Sequence, residues 1–591
     1  MSQPLVLDTV NPLLDTDSPS SIMTPVTQAP TSQASLDQAV SRLREGAVRF
    51  AALSLDQRIA LAETLRQDFM QVAQHMVEAG CKAKNIPVGS PLEAEEWATG
   101  PWGIIRQLRL IADALRSLKK TGNTPIGPVA KTLSGKLAVR VFPQSPIDAM
   151  LQKDVTVDVH MQHHVTEQTL DTDRAAFYKH PDHAGKVVLV LGAGNIAAIG
   201  MMDVITKLFN EGKVCVLKMN PVNAYLGPLI EEGFQAAIRN GFLEVVYGSA
   251  DEGRHLAYHP GVDEIHLTGS DKTYDQIVWG APGPQQDARR AANEPLTQKP
   301  ITAELGNISP VIVVPGPYTD EEIQFQAEVI AAAMTMNASF LCNAAKMLVL
   351  PKDWDGSPRF LRAVRRVCAT IEPRAAYYPG AAERWKHMTE RRSNMVNIGL
   401  PAKDALPWSF VSGLDHHNQS EKLFHEEAFC SVFADVELGS PNPMEFLERA
   451  VDWVNTQLWG TLSATLIVHP STLKNSAVNV AFERAIDRLE YGTVAVNTFP
   501  GLSFVFASPP WGAYPGAKPD NIQSGTGFVH NTAMLEGIEK AVIRAPLTSF
   551  PKPGYVPGHR TAAALLRKLV VLENAPSWLK MPGILWEALR G

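Results

Sequence analysis

The run Asn337-Ala-Ser-Phe-Leu-Cys342-Asn-Ala-Ala-Lys346 sets one cysteine among small and apolar residues. A thiolate there could add to an electrophilic carbonyl, although a cysteine in such surroundings serves packing more often than chemistry. Glu304, in Ile301-Thr-Ala-Glu304-Leu-Gly-Asn307, stands where an apolar strand gives way to a turn. A carboxylate is costly to bury there, so its pKa should rise and suit it to general-base work. Gly192-Ala-Gly194-Asn195 follows an apolar strand and opens a helix. It mimics the glycine turn that lets backbone approach a pyrophosphate. The acid such a turn wants after the second strand is missing: Lys218-Met219-Asn220 stands there, and a plain strand–helix turn fits the glycines equally well. Two histidine groups offer little to a metal. On a strand, His160 and His164 share the exposed parity and His163 does not, while Asp415-His416-His417 reads as solvated loop. No metal is therefore expected, and the absence of a G-x-S-x-G elbow argues against a serine hydrolase.

These residues need elements to hold them. Residues 36–120 show helical spacing of apolar positions, with Ser54 placed to cap the second helix. In 155–162 the period drops to two: Val155, Val157, Val159 and Met161 point one way, Thr156, Asp158, His160 and Gln162 the other. That is a half-exposed strand of a hairpin beginning at 137. Strands and helices then alternate from Lys186 to Ser270, and again from Ile301 to about 500, which predicts parallel, doubly wound sheets. Residues 278–299 read as a surface insertion. Residues 545–560, with four prolines, read as an extended wrap before a last Ala/Leu helix.

In chain order the chemical residues are Asn195, Lys218, Thr268-Gly269-Ser270, Glu304, Cys342 and Glu427-Ala-Phe429. This order resembles the aldehyde dehydrogenase superfamily, over roughly residues 40 to 530. The resemblance implies an oxyanion-hole role for Asn195, a cofactor lysine in Lys218 and a pyrophosphate turn in Gly269 and Ser270. It implies a general base in Glu304, a nucleophile in Cys342 and nicotinamide-ribose contacts from Glu427 and Phe429. The motifs depart from the family at several points. Asn307 replaces the second glycine after the base, and Ser339 and Phe340 stand where Gly-Gln is usual. Pro221 takes the place of an acid.

The implied fold is α/β, with two doubly wound parallel-sheet domains and a small β oligomerisation hairpin. The expected division is 1–35 as a disordered tail, 36–135 and 171–303 as the cofactor domain, and 304–490 as the catalytic domain. Residues 136–170 and 491–530 form the oligomerisation element, and 531–591 a C-terminal extension. The implied function is NAD- or NADP-dependent oxidation of an aldehyde to an acid, by a homodimer or dimer of dimers. The alternatives are a CoA-acylating or acyl-CoA-reducing enzyme and a non-catalytic nucleotide-binding protein of the same fold.

Composition bounds the partners. With 54 Lys and Arg against 61 Asp and Glu, the net charge of −7 gives no global pull toward nucleic acid. Five scattered cysteines, without a CxxC pair, argue for a reducing compartment. No Lys or Arg precedes Arg42, which fits neither a secretory signal nor a transit peptide, so a cytoplasmic location without a membrane span is expected.

Overall fold

The computed structural model describes residues 28–180 and 183–591. Most of the expected tail, residues 1–27, lies outside the described residues; the first helix already begins at Gln33, capped by Ser32. The second, Leu55–Ala83, carries the full capping box, with Ser54 and Gln57 satisfying each other's backbone N–H.

A six-stranded sheet has the order 525–526, 301–304, 264–268, 187–191, 214–218, 243–246. Its five longer strands are parallel, and Gly525–Thr526 runs antiparallel at the edge. From Val187–Leu191 the chain winds outward to 214–218 and 243–246, then returns to lay 264–268 on the other side. The strand order therefore reverses between 187–191 and 264–268, and a crevice opens at their carboxyl ends. Both strands are almost wholly buried, as parallel strands covered by helices on both faces must be.

The second sheet has eleven strands. Seven are parallel, in the order 538–544, 493–496, 463–467, 310–313, 347–351, 432–438, 408–414. The hairpin Leu137–Phe142 and Thr156–Met161 does not stand apart. It prolongs this sheet by antiparallel pairing with Ile538–Arg544, a strand inside the segment expected to be a C-terminal extension. His160 also differs from its expected exposed setting. It is buried, with Nδ1 3.5 Å from Asp487 Oδ1, because the helix Ser476–Arg488 brings an acid over that face of the hairpin.

After the proline-rich stretch, the helix Ala562–Asn574 packs on Glu93–Trp97 and Gly103–Thr121. Its Glu573 takes hydrogen bonds from Arg106 at 2.5 Å and Arg109 at 2.6 Å. Arg106 is 1% exposed and also binds Asp148 at 3.0 Å and the Phe506 carbonyl at 2.8 Å.

Candidate active site

A cavity of about 1140 Å³ opens at the crevice and reaches the second sheet. Its walls contain Asn195, Lys218, Gly269, Ser270, Glu304, Cys342, Glu427 and Phe429, so the chain brings all eight residues singled out in the sequence to one place. Gly269 and Ser270 are exposed at the mouth, and Asn195, Lys218 and Glu304 are buried. Residues 278–299 are more than an insertion on the surface. They fold into the helix Pro284–Ala292, and Gly280, Ala281, Arg289 and Leu296 form part of the cavity wall.

Glu304 ends the strand Ile301–Glu304 and is 4% exposed. Burial pushes its carboxyl up to about 8; the Cys342 thiol favours the anion, while Asp203 and Glu427 oppose it. Oε1 is buried without a conventional hydrogen bond. At neutral pH this side chain is mostly a carboxylic acid. Cys342 faces it, half-buried against the apolar cluster of Leu462, Trp511 and Val529. Its thiol is pushed well above the ordinary value, by burial first and then by Glu304 and Glu427. Reactive cysteines commonly carry a lowered pKa, and this one does not. The apolar packing and the carboxyls hold it as a thiol until a base takes its proton.

The peptide before Cys342 is unusual. Asn337, Ala338 and Ser339 all have left-handed φ, at 52°, 52° and 71°. Such a turn is strained for residues with side chains and persists only where its surroundings over-determine it. Here they do. Asn337 N–H donates to Glu95 at 2.9 Å, and Glu95 pairs with Arg374 at 2.9 Å. The buried Lys346 donates to Ser339 Oγ and to the Cys430 carbonyl, both at 2.5 Å. Asn195 is clamped onto the same turn. Its Nδ2 donates to the Phe340 carbonyl at 2.9 Å, leaving the second N–H of that amide uncommitted. Its own carbonyl accepts from Lys84 at 3.2 Å, Asn337 at 3.0 Å and Tyr377 at 3.1 Å. Sequence reading missed Lys84, Glu95, Asn337, Lys346, Arg374 and Tyr377; only Asn337 and Lys346 lay in a motif already singled out.

On the opposite wall, Lys218 ends the strand Val214–Lys218. Burial lowers its ammonium to about 8, with Glu252 supplying the opposing attraction. Ser270 caps the helix Asp271–Val278 by accepting from Thr273 N–H at 3.2 Å. Glu427 is pushed up to about 8 by burial, although Asn307 N–H donates to it at 3.1 Å. A Cβ on Gly306 would lie 2.1 Å from the Glu427 carboxylate, so only glycine fits there. Asn307, the departure from a second glycine, spends its amide on Ser309 Oγ at 3.0 Å and the Ser463 carbonyl at 2.8 Å. That side chain ties the base-bearing turn to the second sheet.

A profile of the aldehyde dehydrogenase family matches residues 157–372. Among curated proteins, aldehyde dehydrogenase LUC3 of Fusarium sp is 27% identical over 163 residues, 27% of this chain and 32% of that protein. Betaine aldehyde dehydrogenase of Vibrio vulnificus is 29% identical over 103 residues, 17% of each chain. The matched stretch thus spans a third or less of these relatives. Among solved structures, aldehyde dehydrogenase 21 of Physcomitrella patens, in complex with succinate, superposes with a TM-score of 0.58 at 15% identity. It covers 90% of this chain and 96% of that one. Glyceraldehyde-3-phosphate dehydrogenase GapN of Methanocaldococcus jannaschii, complexed with NADP, gives 0.56 at 14% identity, covering 87% and 95%. Indole-3-acetaldehyde dehydrogenase AldA of P. syringae, complexed with NAD+, gives 0.58 at 17%, covering 88% and 92%.

Proposed function

We propose that the chain, whose residues 157–372 match the aldehyde dehydrogenase family and whose fold is that of solved aldehyde dehydrogenases, is an NAD(P)-dependent member of that family, oxidising an aldehyde to a carboxylic acid through Cys342. The observation that carries this reading is the meeting of the buried Glu304 carboxyl, the Cys342 thiol and the Asn195 amide in the wall of one crevice. The far wall suits a dinucleotide. Gly192 and Gly269 leave backbone accessible, and Ser270 opens a helix toward the cavity. The Lys218 ammonium makes no hydrogen bond or ion pair among the described residues and is available to a ribose or phosphate. Relatives solved with NADP or NAD+ support the same cofactor class.

The ionised fraction of Glu304 takes the Cys342 proton as the sulfur attacks the aldehyde carbon, and Glu304 gives that proton up to solvent before deacylation. The oxyanion takes the spare N–H of Asn195 and the Cys342 amide. A nicotinamide bound against Glu427 and Phe429 would supply the hydride acceptor needed to convert the thiohemiacetal on Cys342 into a thioester. Glu304, deprotonated, then takes a proton from water as that water attacks the thioester. A water-activating carboxyl has no task in thiolysis, which favours hydrolysis over transfer to CoA. We assign the cofactor role to 36–135 with 171–303 and the catalytic role to 304–490. We place the enzyme in the cytoplasm as a homodimer or dimer of dimers joined through 136–170 and 491–530. No helix among the described residues is long and apolar enough to cross a membrane.

The test is a panel of aldehydes with NAD and NADP, each with and without CoA. Aldehyde-dependent cofactor reduction without CoA is expected. Reduction that requires CoA moves the protein to the acylating class, and none at all, with cofactor still bound, makes it a binding protein.

A further inference from the structure

The five-residue helix Glu93–Trp97 carries three glutamates, and the reaction above uses none of them. Glu93 is wholly buried and Glu96 is 2% exposed. Carboxylates that deep are partnered or used. At about 100° per residue, Glu93 and Trp97 share one face of the helix, while Glu95 and Glu96 leave from the other side. The two faces meet different parts of the molecule. Behind, Glu93 Oε1 accepts from Trp97 Nε1 at 2.8 Å and from Arg567 at 3.0 Å, and the Arg567 guanidinium lies 5.5 Å from the centre of the Trp97 ring. The other carboxylate oxygen accepts from Gly89 N–H at 2.6 Å. Arg567 belongs to the helix Ala562–Asn574, which follows every strand of both sheets in the chain.

In front, the helix reaches both halves of the site. Glu95 Oε2 accepts from Asn337 N–H at 2.9 Å, at the start of the left-handed turn that leads to Cys342, and Arg374 at 2.9 Å neutralises it. Glu96 Oε1 accepts from the buried Lys84 at 2.7 Å, and the same ammonium donates to the Asn195 carbonyl at 3.2 Å. Just past the helix, the Thr99 carbonyl accepts from Ala198 N–H at 2.9 Å, on the loop that carries Asn195. The two segments are also laced to each other. Asn337 Nδ2 donates to the Asn195 and Phe340 carbonyls, each at 3.0 Å. Tyr377 Oη reaches the Asn195 carbonyl at 3.1 Å and Asn337 Oδ1 at 3.0 Å. The two donors proposed for the oxyanion, Asn195 Nδ2 and the Cys342 N–H, thus stand on segments far apart in the chain. Such donors must keep their spacing to within about 0.5 Å. One small body that touches both segments can set it.

We propose that the helix Glu93–Trp97, fastened from behind by Arg567, is a positioning element of this site: Glu95 sets the turn that presents Cys342, and Glu96, acting through Lys84, sets the loop that presents Asn195. The proposal rests on the reading of Cys342 as the nucleophile and Asn195 as an oxyanion donor. Glu95, Glu96, Lys84 and Arg567 are not among the residues of the cavity wall, so they act through the backbone they hold and not on the substrate. The tetrahedral centre then forms against donors already at their working spacing, with no reorganisation during the attack. The helix Ala562–Asn574, remote from the site in sequence, contributes in this way to the rate of acylation.

p-Nitrophenyl acetate tests this without a cofactor or a known aldehyde, since it acylates the thiol directly and its burst and steady phases report acylation and deacylation. Cys342→Ala should abolish the burst; a burst that survives brings down the nucleophile reading itself, whatever the other variants do. Glu95→Ala should slow the burst about tenfold or more, the scale of a misplacement under 1 Å. Glu95→Gln keeps an oxygen to accept from Asn337 N–H and should recover most of that loss. Lys84→Met combined with Glu96→Met removes both buried charges together, which spares the fold, and should also slow the burst about tenfold or more. Arg567→Ala should slow it about threefold or more. In all of them NAD, titrated by calorimetry, should bind as it does to wild type. Melting curves identify any variant that fails to fold, and the charge-free pair serves if Glu95→Ala does. Burst rates within about twofold of wild type in both Glu95→Ala and the pair would overturn the proposal. So would a slowed burst that Glu95→Gln does not recover, or one matched by an equal loss of NAD affinity, because either marks a general loosening of the crevice. A wild-type burst in Arg567→Ala would overturn the fastening from behind.

Discussion

Burial sets the pH at which this site should work. Glu304 is held near 8 by desolvation, and it can accept a proton only when ionised. By simple titration about 9% of it is ionised at pH 7 and about 91% at pH 9. The deacylation rate should therefore climb about tenfold between those values, with a midpoint close to 8. The burst of p-nitrophenol from p-nitrophenyl acetate should climb too, because the Cys342 thiol is pushed up by the same burial and by Glu304. Stopped-flow traces at half-unit pH steps separate the two phases. A variant that opens the pocket gives the control. Trp511→Ala removes an indole that packs on Cys342 and interacts with Glu304. Water then reaches the carboxyl, so the steady-phase midpoint should fall toward 4.5, the ordinary value. A flat steady phase from pH 7 to 9, or a midpoint that Trp511→Ala leaves in place, would refute the claim that desolvation tunes the base.

Other consequences can be measured directly. Lys218→Ala should weaken both NAD and NADP by about tenfold or more, ~1.4 kcal/mol, read by titration calorimetry; equal affinity would remove Lys218 from the cofactor site. Pro221 offers no carboxylate to repel a 2′-phosphate, so NADP should be accepted, and Pro221→Glu should shift preference toward NAD in kcat/KM. Arg106→Ala removes the buried partner of Asp148 and leaves Glu573 to Arg109 alone, and should cost about 3–5 kcal/mol; an unchanged melting curve contradicts that. Gly525→Ala would place a Cβ 1.9 Å from the Ala303 carbonyl at φ +112°. It should displace the strand carrying Glu304 and lower both stability and deacylation, which melting and steady-state assays check together.

Much of the plan was legible because it depends on neighbours in the chain. Alternation of apolar runs and helices predicts the two wound sheets, and Glu304, Cys342 and Lys218 stand at strand ends or in a turn, where short motifs are informative. What escaped depends on residues brought from afar. The thiol is raised first by burial, beside the cluster of Leu462, Trp511 and Val529, and no window around residue 342 contains those residues. His160 follows the period-two pattern on its own strand, yet a helix more than 300 residues later covers it. The Asn195 clamp draws on Lys84, Asn337 and Tyr377, three separate stretches that meet only in the folded molecule. Ser339 adopts a left-handed φ that glycine takes without strain, and Lys346 holds its hydroxyl in that conformation.

The contact of Arg106 with Glu573 joins residues separated by 467 positions, and it has a bearing on how the polypeptide reaches its native state. During synthesis the helix Gly103–Thr121 leaves the ribosome long before its acidic partner is translated. At about 5–20 residues per second, that wait is on the order of half a minute to a minute and a half. Through that interval a guanidinium destined for the interior has only Asp148 to neutralise it, so the helix cannot settle into its final packing. The same holds for the six-stranded sheet, whose edge strand Gly525–Thr526 arrives after 220 intervening residues. Such high contact order slows productive collapse and prolongs exposure of apolar surface. Nascent chains stalled before residue 573 should therefore be captured by chaperones and cut readily by protease, and release of the last helix should end both.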